Sequence, residues 1–339
     1  MSSTSLNLTS AYYTGDHPSL LWEMTVCQSL GDGDGAFAKT LQRPQAYGRR
    51  LAKFLLDRGL PANCGELVEV GGGYGTLMAA LLEVIRPQSV TMVDISPRLL
   101  AIQQQRLSLY QAEFYGQDIF TWLENNRQAS SELIILNEVI GDLPTITEIS
   151  KNTLQSLLKR SDLKSCTESA RFEQQLDETQ LLLECARQIT AYGLDLAELP
   201  ESFNFNYGAL LVLEMLARTN IKRAVITEHG CDTMLPYPFS LYAAITPPVS
   251  NRNPRRIHLK DHDEYSIRFD HLEKTARSLN FTVQRFHLFE LLQMRFDDEI
   301  HALLEGHRPT SEKQEIFLEF YEHAAEYQGL YLERRPDSL

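Results

Sequence analysis

Four glycines fall within five residues in the stretch ELVEVGGGYGTLMAALLEV, Glu66 to Val84. The run before them reads as a buried strand and the run after them as a helix. A glycine-rich turn between strand and helix is a cradle for a charged small molecule. Two familiar cradles fit poorly. A P-loop requires a Lys after its glycines, and none follows here. A dinucleotide fingerprint requires a third glycine where Thr76 stands, although Gly71 and Gly73 fit its first two positions. The pattern present is Glu69-x-Gly71-x-Gly73-x-Gly75. Its carboxylate can balance a positive charge or receive an ammonium group through water. Its glycines let backbone approach a ligand without Cβ clashes. A tight turn with no ligand is the bland alternative.

Further polar residues fall at later strand ends. Asp94 ends the next predicted strand, Asp118 in GQDI follows the third, and Asn137, Glu138 and Asp142 stand in LNEVIGDLP after the fourth. Each has a structural alternative. Asp94 or Ser96 could cap a helix beginning near Pro97. Asp118 could be a solvated loop residue, Asp142 a turn residue before Leu143-Pro144, and Glu138 a backbone-binding residue. His229, after the fifth strand, could act as a base, though a lone His there is more often structural. Cys231 has no His and acid partners placed by the sequence, so the structural reading is preferred.

The elements that must position these residues alternate. Apolar runs at 66–70, 89–95, 113–119, 132–139 and 224–230 are separated by helical patterns. This predicts an α/β, Rossmann-like parallel sheet covered on both faces, with ligands beyond the C-terminal strand ends. Later runs at 281–289 and 329–335 suit an antiparallel edge strand. Helices are expected at 19–30, at about 44–58 and at 270–280, with a turn at DGDG and a proline-punctuated loop at 236–254. From Lys151 to Phe205 the pattern is helical with no clear strand. The expected division is therefore an N-terminal helical arm (1–60), a cofactor-binding half (61–150), a helical insertion for substrate or partner (151–205), and the remainder of the sheet with C-terminal helices (206–339).

The 339-residue chain carries a formal net charge of −13, which disfavours a stable nucleic-acid partner because neutralising phosphates needs a basic face. A cationic substrate suits that field better. Five scattered cysteines without a CxxC pair fit a reducing compartment and no structural zinc site. No apolar run reaches membrane-spanning length, and the polar N-terminus resembles neither a signal nor a transit peptide. A cytoplasmic location without a membrane partner is the expectation.

The pattern from Glu69 to Gly75 resembles motif I of the class I S-adenosylmethionine-dependent methyltransferases. The resemblance implies S-adenosylmethionine as cofactor, Asp94 accepting the ribose hydroxyls, and Asp118 near the adenine amino group. It extends the cofactor-binding set to Tyr74, Thr76, Ile95, Gln117 and Asn137. The fourth strand end narrows the family. Base-directed amino-methyltransferases usually carry [DN]-P-P-[YF] there, whereas Asn137, Glu138, Asp142, Leu143 and Pro144 match the MidA family, which includes mitochondrial complex I assembly factors. Phe37, Thr40, Tyr47 and Gly48 in the N-terminal part, DISPRLLAIQQQRL, and FDHLEKTARSLNFTV near the end also resemble that family. The likeness is thin over the helical insertion. The family's DYG after the fifth strand is here Glu228-His229-Gly230, and its substrate-region tryptophan and glutamate have no clear counterpart.

The mitochondrial members imply a protein arginine as acceptor. Carboxylates would then hold the guanidinium, with Glu138 the first catalytic candidate and Asp142 the second. Glu138 with Glu148 loosely echoes the paired glutamates of arginine methyltransferases. A small-molecule acceptor beneath a lid formed by the insertion, or an assembly factor that binds cofactor with little turnover, are the alternatives.

Overall fold

The computed structural model describes residues 4–15, 25–41, 44–128, 130–159, 176–242, 252–306 and 308–335. Among the described residues twelve strands form three sheets. They are β1 (Ser5–Asn7), β2 (Asn63–Val70), β3 (Arg86–Val93), β4 (Ala112–Tyr115), β5 (Leu133–Asn137) and β6 (Thr145–Ser150), followed by β7 (Ser202–Phe205), β8 (Arg223–His229), β9 (Arg256–His258), β10 (Asp263–Tyr265), β11 (Phe281–His287) and β12 (Tyr327–Arg334).

The seven-stranded main sheet has the order β11-β12-β8-β5-β2-β3-β4. Its strands β4, β3, β2, β5 and β8 pair in parallel, while β12 runs antiparallel to both β8 and β11. The antiparallel strand thus lies one place in from the edge. The chain builds outward from β2 to β4, then returns to β5 on the other side of β2. That reversal opens a crevice beyond the C-terminal ends of β2 and β5.

Successive residues of the central strands feed opposite layers, as a period of two requires. Val68, Val70, Ile134 and Leu136 pack into one core with helices Ile119–Asn125, Tyr207–Leu216 and Phe269–Ser278. Leu67, Leu133 and Ile135 pack into the other with helices Tyr47–Leu56, Thr76–Leu81 and Glu312–Ala324. Every residue of β5 is buried, which explains why LIILN reads as continuous rather than alternating.

Several expectations shift. The predicted third strand ends at Tyr115, because Asp118 begins a helix. Of the helix expected at 19–30, residues 19–24 lie outside the described residues, and Val26–Ser29 is helical with Thr25 as its cap. The insertion has the expected helices Lys151–Leu158 and Glu178–Tyr192, with 160–175 outside the described residues. It closes, however, on a strand. In β7 only Phe203 and Phe205 are fully buried, a four-residue alternation too short to register in the sequence. This strand pairs with β6, which pairs in turn with β1 of the N-terminal arm. The proline-rich loop gives a 3-10 turn at Phe239–Tyr242, 243–251 lying outside the described residues, and leads into the unpredicted β9–β10 hairpin. No helix among the described residues is long and apolar enough to cross a membrane.

Candidate active site

The crevice beyond β2 and β5 is a cavity that gathers nearly all the predicted site residues. Glu69, Gly71, Gly73, Tyr74, Thr76, Asp94, Ile95, Gln117, Asp118, Asn137, Glu138 and Asp142 all line it. Gly75 does not; it is the N-cap of the helix Thr76–Leu81 and faces Gln103 and Arg106.

Three alternate glycines of the loop adopt left-handed backbone, with φ of 63° at Gly71, 51° at Gly73 and 73° at Gly75. Their spacing in the motif is therefore the spacing of a backbone that coils with positive φ at every second residue. Gly71 is constrained twice, because a Cβ there would lie 2.5 Å from Cγ2 of Val139. Beneath the loop, Glu69 is 2% exposed and its Oε2 has no hydrogen-bond partner among the described residues. Burial, then the neighbouring Asp94, pushes its pKa up to about 8. An isolated buried carboxylate is costly, and a cationic group brought into the cavity would relieve it.

Asp94 is not the helix cap. Ser96 takes that role for Pro97–Arg106, its hydroxyl accepting from Leu99 N. Asp94 Oδ1 accepts from Ser96 N at 2.8 Å and Oδ2 from Gln103 Nε2 at 2.7 Å. Burial raises its pKa to about 6 against these two donors. Asp118 does act as a cap, accepting from Thr121 N at 2.9 Å and from Thr121 Oγ1 at 2.6 Å.

At the end of β5, Asn137 is clamped. Its Oδ1 accepts from the Tyr47 hydroxyl at 2.8 Å and the Thr227 hydroxyl at 2.6 Å, so its Nδ2 faces Cys27 Sγ at 3.1 Å and Glu138 Oε2 at 3.2 Å. Glu138 itself holds φ at 54°, a strained value for a non-glycine residue that recurs at functional sites. Its Oε1 accepts from Val26 N at 2.6 Å, and the Tyr327 hydroxyl also donates to it. Burial nevertheless raises its pKa to about 7, with Glu228 adding to the effect. Glu228 Oε2 in turn accepts from Gly141 N at 3.0 Å, bracing the loop from Asn137 to Pro144.

Asp142 lines the cavity but is tied to the N-terminal arm. Its Oδ2 accepts from the Tyr13 hydroxyl at 3.0 Å, and its backbone oxygen accepts from Thr9 Oγ1 at 2.8 Å. His262 Nε2 lies 3.7 Å from Asp142 Oδ1 and 3.4 Å from Glu264, with the Tyr12 ring stacked on the imidazole. Glu148 does not join the cavity; it is exposed on β6 and bonded to Ser202. His229 packs against Tyr327 and, like Cys231, does not line the cavity. The basic run Arg252 to Arg256 is neutralised, Arg252 by Glu198 and Asp270, Arg255 by Glu326, and Arg256 by Asp263.

The roof of the cavity carries no signal in the sequence. Leu8, Thr9, Ser10 and Tyr13 cover the cavity, and Tyr13 packs with Tyr74, Ile95 and Leu99 at its rim. Thr25, Cys27, Ile119 and Phe120 complete its walls. A polar arm gives no periodic signal that it will fold over a site built from residues as far along the chain as Asp142.

Residues 46–222 match the family model described as "Putative S-adenosyl-L-methionine-dependent methyltransferase". The chain belongs to this family. No curated protein matches the methyltransferase in sequence. Similar solved structures include a TehB-like S-adenosylmethionine-dependent methyltransferase from Corynebacterium glutamicum, 12% identical over 85% of this chain and 88% of that one, with a TM-score of 0.36. An S-adenosylmethionine-dependent methyltransferase from Clostridium acetobutylicum is 9% identical over 86% and 91%, with a TM-score of 0.39. Magnesium protoporphyrin IX methyltransferase from Synechocystis, solved with S-adenosylhomocysteine, is 11% identical over 84% and 80%, with a TM-score of 0.38. These likenesses are too distant to carry any residue or acceptor across.

The cavity of the methyltransferase fits its cofactor on its own evidence. S-adenosylmethionine carries an ammonium and a sulfonium, and the orphaned Glu69 Oε2 is a buried acceptor that needs a cation. The left-handed glycines leave the cradle free of side chains. Asp94 keeps lone pairs beyond its two protein donors for a ribose.

Proposed function

We propose that this methyltransferase transfers the methyl group to a cationic nitrogen acceptor, a protein arginine first, with Glu138 as the carboxylate that orients the acceptor and takes its proton. One observation carries this reading. The cavity is lined by five carboxylates, Glu69, Asp94, Asp118, Glu138 and Asp142, and by no Lys, Arg or His among the described residues. In this reading Glu69 serves the methionine end, Asp94 the ribose and Asp118 the adenine side, which leaves Glu138 and Asp142 beside the β5 loop for the acceptor.

S-adenosylmethionine supplies an electrophilic methyl on sulfur. The residues of the chain bind, align and deprotonate. Asn137, pinned by Tyr47 and Thr227, and Val26 N fix the Glu138 carboxylate, and alignment of this kind is a large part of the catalysis of an in-line displacement. A pKa near 7 suits a group that accepts a proton at neutral pH. A bound S-adenosylmethionine would give its methyl to the nitrogen and leave as a neutral thioether, and Glu138 is placed to take the proton that the nitrogen gives up. The resemblance of Asn137, Glu138, Asp142, Leu143 and Pro144 to the MidA pattern supports this reading.

A small cationic acceptor is the second reading, favoured by the arm that roofs the cavity. Incubating the protein with radiolabelled S-adenosylmethionine and a cell lysate separates the two. A labelled protein band whose hydrolysate yields methylarginine supports the first, and label confined to small molecules overturns it in favour of the second.

A further inference from the structure

Gln103 sits on the helix Pro97–Arg106 and does not line the cavity, yet it touches both parts of the cradle. Its side chain is fully buried. Nε2 donates to Asp94 Oδ2 at 2.7 Å and to the backbone oxygen of Gly73 at 3.0 Å. Oε1 is buried with no partner among the described residues. One turn along, Arg106 Nε donates to the Tyr74 oxygen at 2.7 Å. The glycine loop passes close to both, since a Cβ on Gly75 would lie 3.4 Å from Gln103 Cα and from Arg106 Cδ.

Burying an amide with one unmatched acceptor costs free energy that a leucine or methionine of similar volume would not. The return on that cost is specific. One NH2 group joins the residue after β3 to the loop after β2, and its two hydrogens point to two different cofactor-facing groups. A carboxylate held at Oδ2 by Gln103 and at Oδ1 by Ser96 N cannot rotate, and its remaining lone pairs keep a single direction.

We propose that Gln103 is a positioning residue that aims the Asp94 carboxylate at the cofactor ribose. This rests on the ribose role given to Asp94 above. Because the Asp94 carboxylate is pre-oriented, discrimination for the ribose hydroxyls depends on Gln103 although Gln103 does not touch them.

The test uses the full chain and two probes, S-adenosylhomocysteine and its 2′-deoxyribose analogue, titrated by calorimetry against the parent protein, Gln103→Met and Asp94→Asn. Gln103→Met keeps the volume and removes the donor, and its thermal melting curve reports whether it folds. The parent protein should prefer the ribose probe by about tenfold or more, as expected for hydrogen bonds to a charged group. Gln103→Met should lose most of that preference while binding the deoxy analogue within about threefold of the parent. A variant that weakens both probes equally, or keeps the preference, overturns the proposal and leaves Gln103 a packing residue. If Asp94→Asn also retains the preference, the ribose role of Asp94 fails and the proposal fails with it.

Discussion

The Tyr13 hydroxyl donates to Oδ2 of Asp142 across 129 residues of sequence, at 3.0 Å. This bond joins the arm that roofs the cavity to the loop that carries Glu138. Replacing Tyr13 with Phe removes it and leaves the ring packed on Leu99. We expect S-adenosylhomocysteine to leave about threefold to tenfold faster, the range for losing a hydrogen bond to a carboxylate at a partly exposed site. Stopped-flow displacement measures this, and an unchanged off-rate would mean that the arm does not gate the cofactor.

Glu138→Gln keeps the shape and removes the base. Cofactor affinity should stay within about twofold, while methyl incorporation falls by about a hundredfold or more, the usual worth of a positioned general base. Retained turnover would remove Glu138 from the chemistry and return attention to Asp142.

The buried Glu69 makes cofactor affinity depend on pH. With its pKa near 8 it holds a proton at neutral pH in the free protein, and binding a cationic ligand favours its ionised form. Affinity should therefore rise with pH, by at most about tenfold per unit, and level off above pH 8. The free protein should behave oppositely. Its folded-state pKa is raised, so the folded state binds more protons than the unfolded chain between about 4.5 and 8, and the contribution of Glu69 to stability falls as pH rises through that window. Glu69→Gln should flatten both profiles; profiles unaltered in that variant would assign the titration elsewhere.

Gly71 and Gly59 separate backbone strain from close approach. Both have positive φ, 63° and 85°. A Cβ on Gly59 meets nothing within 4 Å, whereas one on Gly71 lies 2.5 Å from Val139 Cγ2. Gly59→Ala should cost about 1 kcal/mol of stability and leave cofactor binding intact. Gly71→Ala should cost more and weaken binding at least about tenfold, with partial recovery when Val139→Ala is added. Equal effects of the two single variants in denaturant melts and titrations would argue against the contact with Val139.

Much of this site was legible because its signals are local. The motif Glu69-x-Gly71-x-Gly73-x-Gly75 marks its own backbone, since alternate left-handed residues need glycine, and the polar residues that end β2, β3 and β5 reach the cavity because parallel strands deliver their C-terminal ends to one rim. Asp118 was harder to read, since the same Asp that caps a helix also borders a ligand. What escaped depends on distant partners. The roof over the cavity depends on Thr145, Thr147, Asp142 and His262 to hold Ser5 through Tyr13, and nothing near residues 4–15 announces them. Strand β7 is similarly opaque, because its burial alternates over only four residues and its partner β6 is distant in sequence.

Away from the site, Arg187 makes a two-pronged bond to Glu214 at 2.9 and 3.0 Å, and Tyr192 donates to the same carboxylate at 2.9 Å. Both charged side chains are buried. Arg187→Met strands a buried carboxylate and should cost about 3–5 kcal/mol in urea denaturation, while Arg187→Met with Glu214→Leu should cost markedly less. A double variant as unstable as the single would show that shape rather than charge sets the penalty.

The arm also protects a sheet. Its β1 covers Thr145, Ile146 and Thr147 on the outer side of β6, opposite β7. Peeling β1 away to admit cofactor would leave those backbone amides and carbonyls as an open edge, ready to pair with a strand from another molecule. A state with β1 detached would thus be the form most prone to self-association, and if the arm opens only to exchange cofactor, cofactor depletion and aggregation should rise together.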